Sequence, residues 1–313
     1  MEPGLQAAVR RYLTGQEGGQ RAATAALSGH YRKGGRTGPD TDPAAYLTVR
    51  LPATYAAVTA ALAEVSRARP DFAPATLTDA GAGPGTAAWA ALAAWPALAR
   101  VTLLDTHAAF LDIAGVLAAD GPHRALATAT RRLAAMDSLT AADASDLVTC
   151  AYALAEVPEA DIPRAAKALW AATAGLLVIV EPGTPAGFAR IRSARTTLLQ
   201  AGAVPVAPCP HAGPCPLQAN DWCHFTVRLA RRREHMHAKA VRVPFEDEKY
   251  AYLALSRTGN PGGGARVLVL PQHLKSGITF KLCTAQGVEQ RQVERRDRDA
   301  YKTHRKRTWG DLL

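Results

Sequence analysis

A turn with glycine at every second position carries the clearest chemical signal in the sequence. The residues Asp79-Ala-Gly-Ala-Gly-Pro-Gly85 follow a short apolar run and precede an alanine-rich stretch, 87–98. Glycine is needed where a backbone bends this tightly and lets a ligand lie against it. A helix that begins there offers free N–H groups and the positive end of its dipole. A strand, a glycine-rich turn and a helix in this order predict a binding site for a nucleotide or a nucleoside.

The spacing of Gly81, Gly83 and Gly85 narrows the choice of ligand. A dinucleotide fingerprint needs G-x-G-x-x-G, whereas this turn has G-x-G-x-G after the acidic residue Asp79. The pattern resembles the first motif of the class I S-adenosylmethionine methyltransferases, whose ligand has no pyrophosphate. Asp105 ends the next predicted strand, where a carboxylate can accept hydrogen bonds from both hydroxyls of a ribose. A glycine-rich loop with structural acids nearby is the alternative.

Four of the five cysteines form a second candidate site. Cys209, Cys215 and Cys223 lie in one proline-rich stretch, and Cys283 lies far downstream. A loop with so little apolar content needs something to hold it, and four thiolates around a metal centre would do so. The gaps of five and seven residues are wider than those of a zinc knuckle, and the prolines after two of the cysteines are typical of ferredoxin-type clusters. The spacing leaves zinc, an iron–sulfur cluster and unliganded thiols open.

The positive charge is confined to the end of the chain. The formal net charge is +10, and residues 1–224 hold 18 Lys and Arg against 18 Asp and Glu, whereas residues 225–313 hold 19 against 9. A segregated basic segment indicates a polyanionic partner, and Tyr301 and Trp309 within it could stack on bases. A basic surface without such a partner is the alternative. The candidate RNA-binding residues are Arg231, Arg232, Arg233, Arg295, Arg296, Lys302, Arg305, Lys306 and Arg307.

The elements that position these residues alternate between strand and helix, which predicts a doubly wound α/β core with right-handed crossovers. Strands are expected at 75–79, 101–104, 126–130, 146–152 and 176–180, with an antiparallel pair at 224–229 and 250–256. Ligands of such sheets bind at the carboxyl ends of the strands. We therefore expect Tyr152, which follows the fourth strand, to join Asp105 and the glycines in one pocket.

Composition divides the chain into three regions. We expect a helical region at 1–70, a core at 71–257 with a cysteine-rich loop at 205–224, and a basic β appendage at 258–313 after a glycine-rich linker. The sequence has no apolar run of about eighteen residues, the minimum for a membrane span. Its first residues do not have the pattern of a secretion signal. These features predict a cytosolic protein without structural disulfides.

Together the motifs resemble a known family, the methyltransferase-like assembly factors of the small ribosomal subunit found in mitochondria and in bacteria. The resemblance covers most of the chain after about residue 46, and the cysteine block is its specific part. Besides the glycine turn, it rests on the stretches 146–156, 181–183, 209–224, 281–283 and 309–311.

This resemblance implies a class I methyltransferase fold, with S-adenosylmethionine on the glycine turn and Asp105 and a [4Fe–4S] cluster on the four cysteines. It also implies action on the ribosomal RNA of the small subunit, with no DNA or membrane partner. No catalytic base is implied, because Thr149-Cys-Ala-Tyr152 has neither the Asp/Asn-Pro-Pro tetrad of amino-group methylases nor the Pro-Cys pair of cytosine methylases. An rRNA methyltransferase, a non-catalytic RNA-binding assembly factor and a small-molecule methyltransferase stay open.

Overall fold

Two β-sheets and the helices around them make up the part of the chain that the computed structural model describes, residues 1–14, 42–119, 121–218, 220–230 and 243–313. The helices are α1 (Pro3–Leu13), α2 (Pro43–Ala68), α3 (Thr86–Ala94), α4 (Ala108–Ala119), α5 (Arg124–Ala127), α6 (Ile162–Ala171), α7 (Pro185–Gln200) and α8 (Arg298–His304). The strands are β1 (Thr76–Ala80), β2 (Arg100–Asp105), β3 (Thr130–Leu133), β4 (Ser145–Ala151), β5 (Thr173–Pro182), β6 (Val204–Ala207), β7 (Phe225–Ala230), β8 (Phe245–Ser256), β9 (Arg266–Val267), β10 (Gln272–His273), β11 (Gly277–Thr284) and β12 (Gly287–Glu294).

The larger sheet has the strand order β3-β2-β1-β4-β5-β8-β6. Its first five strands run parallel, whereas β8 is antiparallel to β5 and β6 and pairs with β7 along its first half. β5 carries an unbroken run of buried apolar residues, as a parallel strand covered on both faces requires. The α/β fold class with a Rossmann-like sheet, expected from the sequence, is confirmed.

Helices cover both faces of the larger sheet and form one core on each side. On one face Leu62 of α2, Trp89 of α3 and Leu117 of α4 have no exposed surface. On the other face Leu169 of α6 and Leu198 of α7 are equally buried. The carboxyl ends of β1, β2 and β4 are thus held on a rigid scaffold. Across the described helices, none has both the length and the apolar character that crossing a bilayer demands.

The smaller sheet is formed by β9 to β12 and contains its own core. β11 lies between β10 and β12 and also pairs with β9. Its core contains Val267, Ile278, Phe280, Leu282 and Val293. The end of the chain returns to this sheet, where residues 265 and 313 exchange two backbone hydrogen bonds of 3.0 and 2.8 Å. The final residues therefore belong to the structure of the appendage.

Two strands of the larger sheet differ from the sequence-based expectation. The strand expected at 126–130 is wrong, because α5 occupies its first residues and β3 begins at Thr130. β3 is an edge strand with mostly exposed side chains, so it has no apolar run to reveal it. β6 was not expected because it contains Pro205, a residue that sheets tolerate at their edges.

Candidate functional site

The glycine turn after β1 has a backbone that only glycine adopts easily. The φ angles of Gly81, Gly83 and Gly85 are +69°, +52° and +81°. At Gly81 space is limiting as well, because a Cβ there would lie 2.2 Å from the Cβ of Ala153. The turn therefore packs directly against the segment that follows β4, and a side chain would force the two apart.

A cavity of about 270 Å³ lies beside this turn, at the carboxyl ends of β1, β2 and β4. Of the residues selected from the sequence, Gly81, Gly83, Asp105 and Tyr152 line it. Glu156, in the segment after β4 that the sequence also placed at the pocket, lines it too, and lining residues that the sequence did not single out include Tyr46, His107, Phe110, Met136 and Asp137. The cavity thus combines glycine backbone, aromatic rings and carboxylates.

Asp105 is held in place by the backbone on either side of the cavity. The Gly83 N–H donates to Oδ2 of Asp105 at 2.7 Å, and the His107 N–H donates to Oδ1 at 2.9 Å. An ionised carboxylate offers about four lone-pair sites. The carboxylate at the end of β2 therefore keeps acceptor capacity for hydroxyl groups of a ligand while it fixes the glycine turn.

Asp79 and Gly85 lie outside the lining of the cavity. The Asp79 side chain accepts hydrogen bonds from Thr149 Oγ1 at 2.8 Å and from the Ala88 N–H at 3.1 Å. Burial raises the pKa of Asp79 to about 7. Gly85 precedes the first residue of α3. The expectation that these two residues contact a ligand stays a prediction; in the structure Asp79 ties β1 to β4 and α3.

Tyr152 links the end of β4 to α2 and β8. It is a non-glycine residue with a φ of +61°, a rare conformation for a bulky side chain. Its hydroxyl donates to Glu248 Oε1 at 2.9 Å. The Arg50 guanidinium lies 5.4 Å from the ring centroid and 3.5 Å from the same Glu248 oxygen. Burial raises the pKa of Tyr152 well above its usual value, so the phenol stays a donor.

Three aromatic side chains of the cavity come from segments that the sequence motifs did not assign to a binding site. Tyr46 of α2 meets Phe110 of α4 edge to face, with 5.1 Å between ring centroids, and the His107 ring lies 6.2 Å from Phe110. The helical periodicity around Tyr46 indicated a helix and gave no sign that it reaches the site. Only the fold brings this N-terminal helix to the carboxyl ends of the strands.

The four candidate metal ligands line a second cavity, of about 40 Å³. Cys209 follows β6, Cys215 and Cys223 precede β7, and Cys283 lies on β11 of the smaller sheet. All four are free thiols, as is Cys150, which is buried apart from them in β4. Residues more than seventy positions apart in the chain therefore meet at one place.

Two buried arginines line the cavity together with the cysteines. Arg195 of α7 is 3% exposed and Arg266 of β9 is 6% exposed. Burial raises the pKa of the thiols of Cys209 and Cys283, to about 12 for Cys283, while both guanidinium groups act in the opposite direction. The site therefore supplies positive charge to its sulfur atoms.

No three His, Cys, Asp or Glu side chains in the described part of the chain are arranged to hold a single metal ion. His211 lies against the cysteines without lining the cavity, with Nε2 3.6 Å from the Cys283 sulfur. His224 instead stacks on Trp222, with 5.2 Å between centroids. A cavity needs about 10–15 Å³ to admit one water molecule, so the space between the cysteines exceeds the volume of a single water.

The basic candidates divide into described and undescribed residues. Arg231, Arg232 and Arg233 lie outside the described residues. The other six are exposed at or near the C-terminus: Arg295, Arg296, Lys302, Arg305, Lys306 and Arg307.

The two aromatic residues near these cations are engaged within the protein. The Arg295 guanidinium lies 5.4 Å from the centroid of the Tyr301 ring. The Trp309 ring packs on the core, 4.9 Å from the ring of His224. Both rings thus contact other side chains of the protein, and their stacking on bases stays a prediction.

Strand order, the antiparallel β8 and the glycine turn after β1 together define the class I methyltransferase fold. Within that class, the family model described as "Mitochondrial small ribosomal subunit Rsm22" matches residues 40–313. The chain belongs to this Rsm22 family, which confirms the resemblance seen in the sequence.

Two relatives indicate how far the similarity extends. The human "Ribosome assembly protein METTL17, mitochondrial" is 32% identical over 301 residues, which cover 86% of this chain and 61% of the relative. The "Rsm22-cox11 tandem protein 2, mitochondrial" of Schizosaccharomyces pombe is 29% identical over 206 residues, 59% of this chain and 27% of the relative. The chain thus spans less than two thirds of either protein. Because both are named as mitochondrial, the cytosolic compartment expected from the sequence is contradicted.

Solved structures to which this chain is similar are distant in sequence. The magnesium protoporphyrin IX methyltransferase of Synechocystis PCC 6803 with bound SAH is 13% identical, with a TM-score of 0.43, over 75% of this chain and 95% of that chain. A precorrin-6y C5,15-methyltransferase of Geobacter metallireducens is 14% identical, with a TM-score of 0.39, over 64% and 86%. Neither likeness bears on the function of this protein.

Proposed function

We propose that the protein binds S-adenosylmethionine and a metal group held by four cysteines, and acts on the ribosomal RNA of the small subunit during ribosome assembly. The observation that carries the proposal is the meeting of four distant cysteines around one cavity, in a chain of the Rsm22 family. The named role of the human relative in ribosome assembly supports the choice of partner.

The larger cavity suits an adenosyl ligand. The glycine turn allows close approach of the backbone, and the Asp105 carboxylate can accept hydrogen bonds from ribose hydroxyls. Phe110 and Met136 offer apolar surface for a planar base. S-adenosylmethionine supplies an activated methyl group, and methyl transfer depends mostly on the positioning of the acceptor. The chain's own contribution would be to bind and orient the ligand.

The smaller cavity suits a polynuclear cluster. The four cysteines line one cavity, and the prolines directly after Cys209 and Cys215 are typical of ferredoxin-type clusters. A [4Fe–4S] cluster takes four cysteine ligands spaced around a larger core. Cys209, Cys215, Cys223 and Cys283 would hold it and thereby fasten the smaller sheet to the larger one. Zinc remains the alternative that metal analysis distinguishes.

Metal content tests this part of the proposal directly. The protein is purified without oxygen, and iron, sulfide and zinc are counted per chain. We expect equal amounts of iron and sulfide, lost in Cys215→Ser and retained in Cys150→Ser, a matched control because Cys150 is buried away from the cavity. Zinc without iron or sulfide would mean that the four cysteines hold a structural zinc ion and no cluster. A protein free of metal would contradict the proposed metal group.

A non-catalytic assembly factor is the second candidate, because the segment Thr149-Cys-Ala-Tyr152 has neither of the methylase signatures named above. Within that segment the Tyr152 hydroxyl is bonded to Glu248, and its ring centroid lies 5.4 Å from the Arg50 guanidinium. Transfer of tritium from labelled S-adenosylmethionine to immature small subunits separates the two candidates. Labelled rRNA supports an enzyme, whereas no transfer by metal-replete protein supports an assembly factor.

A further inference from the structure

Arg195 carries a buried positive charge beside the cysteine cavity. Its guanidinium donates to the carbonyls of His211 at 2.9 Å and Gly213 at 2.8 Å, and its Nε lies 3.3 Å from the Cys209 sulfur. Carbonyl oxygens satisfy N–H groups but do not neutralise a charge. A guanidinium that is 3% exposed therefore needs an anion close by.

Carboxylates do not supply that anion within the described ranges. Arg266, the other buried arginine at the cavity, is 3.1 Å from Glu64, whereas Arg195 forms no ion pair with any described carboxylate. The Cys209 sulfur, which a metal group would hold as a thiolate, is the group in contact with Arg195. A thiolate there would form a charge-assisted hydrogen bond with the Arg195 N–H.

We propose that Arg195 is a positioning residue that stabilises the thiolate of Cys209 and so raises both the metal retention and the reduction potential of the four-cysteine group. The inference rests on the proposed metal group. Four thiolates carry two net negative charges with either zinc or an oxidised [4Fe–4S] core. A reducing electron adds a third negative charge, which an adjacent guanidinium favours, and hydrogen bonds to sulfur are known to tune such potentials.

The same side chain also shapes the loop that presents the ligands. Its Nη2 bridges the carbonyls of residues 211 and 213, which lie between Cys209 and Cys215. One guanidinium thus fixes the path of the loop with one nitrogen and contacts a sulfur with another. Comparison of a variant that keeps the charge with one that removes it separates the effect of the charge from the effect on the loop. Both variants lose the guanidinium that bridges the two carbonyls, but only one of them loses the cation.

The test compares three variants of the metal-loaded full chain. Arg195→Gln removes the charge, Arg195→Lys keeps it, and Arg100→Gln, the control, removes an exposed cation of β2 that does not line the cavity. Reduction potential is measured by anaerobic spectroelectrochemical titration, and metal retention by the rate of loss to a chelator.

We expect Arg195→Gln to shift the potential to more negative values and to lose metal about tenfold faster, as removal of a charge-assisted hydrogen bond implies. Arg195→Lys should keep a potential close to that of the unmodified protein, and Arg100→Gln should change neither quantity. If Arg195→Gln does not fold, the lysine variant decides. A lysine variant whose potential is clearly more negative than that of the unmodified protein, although the charge is kept, overturns the role of the charge.

The possible failures are distinguishable. An unmodified protein without iron or zinc contradicts the proposed metal group itself. A metal-bearing protein in which Arg195→Gln and Arg100→Gln behave alike contradicts the role of Arg195 and leaves the metal group intact. If the metal is zinc, the rate of its loss to the chelator decides in the same way.

Discussion

At the scale of single residues, the acidic groups near the glycine turn have divided roles. Asp79 and Asp105 were both expected to serve the ligand, and both lie at or near the ends of short strands. Asp105 lines the cavity, whereas Asp79 is 1% exposed and bonded to Thr149 and Ala88. Asp79 lies one residue before the end of β1, whereas Asp105 is the last residue of β2. This difference in position decides which of the two carboxyl groups reaches the cavity.

Replacement of Asp105 by asparagine tests its contact with the ligand. We expect Asp105→Asn to bind S-adenosylmethionine about tenfold more weakly, because hydrogen bonds to a charged acceptor are stronger than those to a neutral amide. Isothermal titration calorimetry measures the dissociation constant. The exposed Asp112→Asn on α4 is the control and should bind normally. Equal affinities for both variants would mean that Asp105 only holds the glycine turn.

Buried carboxyl groups make stability depend on pH in a predictable direction. Burial raises the pKa of Asp79 and of Glu181 to about 7 each. A carboxyl group whose pKa is raised by folding stabilises the protein fully below its unfolded pKa, near 4, and that contribution is lost as pH rises through the folded pKa. The unfolding free energy of the unmodified protein should therefore fall between about pH 5 and pH 8. In Asp79→Asn this fall should be smaller by about 2 kcal/mol.

Urea unfolding at several pH values measures this effect. The exposed Asp112→Asn serves again as the control and should leave the dependence on pH unchanged. An unaltered slope in Asp79→Asn would show that the carboxyl group is ionised in the folded protein across the whole range.

At the scale of elements, periodicity predicted the elements that are buried and missed those at edges. β5 and the helices on both faces of the larger sheet show continuous or periodic apolar patterns, because their neighbours cover them. β3, β6 and β12 lie at sheet edges or carry exposed charges, so burial left no pattern in their sequences. The cysteine block was predicted for a different reason. A site built from four thiols needs a cysteine at each of its four positions, and this residue type is visible in the sequence whatever secondary structure surrounds it.

The glycine turn gives a prediction about the junction between β1 and α3. Gly81→Ala should lower the unfolding free energy by about 3 kcal/mol, because it combines a positive φ with overpacking against Ala153. Gly202→Ala is the matched control, with a φ of +81° but no atom within 4 Å of its Cβ. It should lower the free energy by only about 1 kcal/mol.

Chemical denaturation measures both glycine variants, and ligand titration accompanies it. Gly81→Ala should also lose affinity for S-adenosylmethionine, since the turn lines the cavity. Equal destabilisation of the two variants would show that the segment after β4 moves aside without cost to the fold.

At the scale of the whole molecule, the larger sheet and the basic appendage meet at the cysteine cavity. Cys283 of β11 joins residues of the larger sheet there. Arg266 adds a second link, because its guanidinium donates to the carbonyls of Pro208 at 2.8 Å and Gly310 at 2.6 Å. The three regions predicted from composition remain a proposal, but these contacts predict that the two sheets unfold together when the metal group is present.

The appendage also determines how RNA binding should be tested. Removal of residues 287–313 would delete β12, which pairs along the full length of β11, and would disturb the cysteine site together with the charge. Substitution of surface cations avoids this problem. The exposed residues Lys302, Arg305, Lys306 and Arg307 contribute no side chain to either sheet core, and they are the better target.

Replacement of these four cations by glutamine should weaken binding to a fragment of small-subunit rRNA and flatten its dependence on salt. Each lost phosphate contact lowers the slope of log K against log salt by about 0.7–0.9. Four exposed cations of the core, Arg100, Arg124, Arg131 and Lys167, form a control with the same change of net charge. Filter binding at several salt concentrations measures both sets. Because general electrostatic attraction would respond equally to either set, equal slopes would contradict a role for the C-terminal cations, and a selective decrease would assign RNA contact to the appendage.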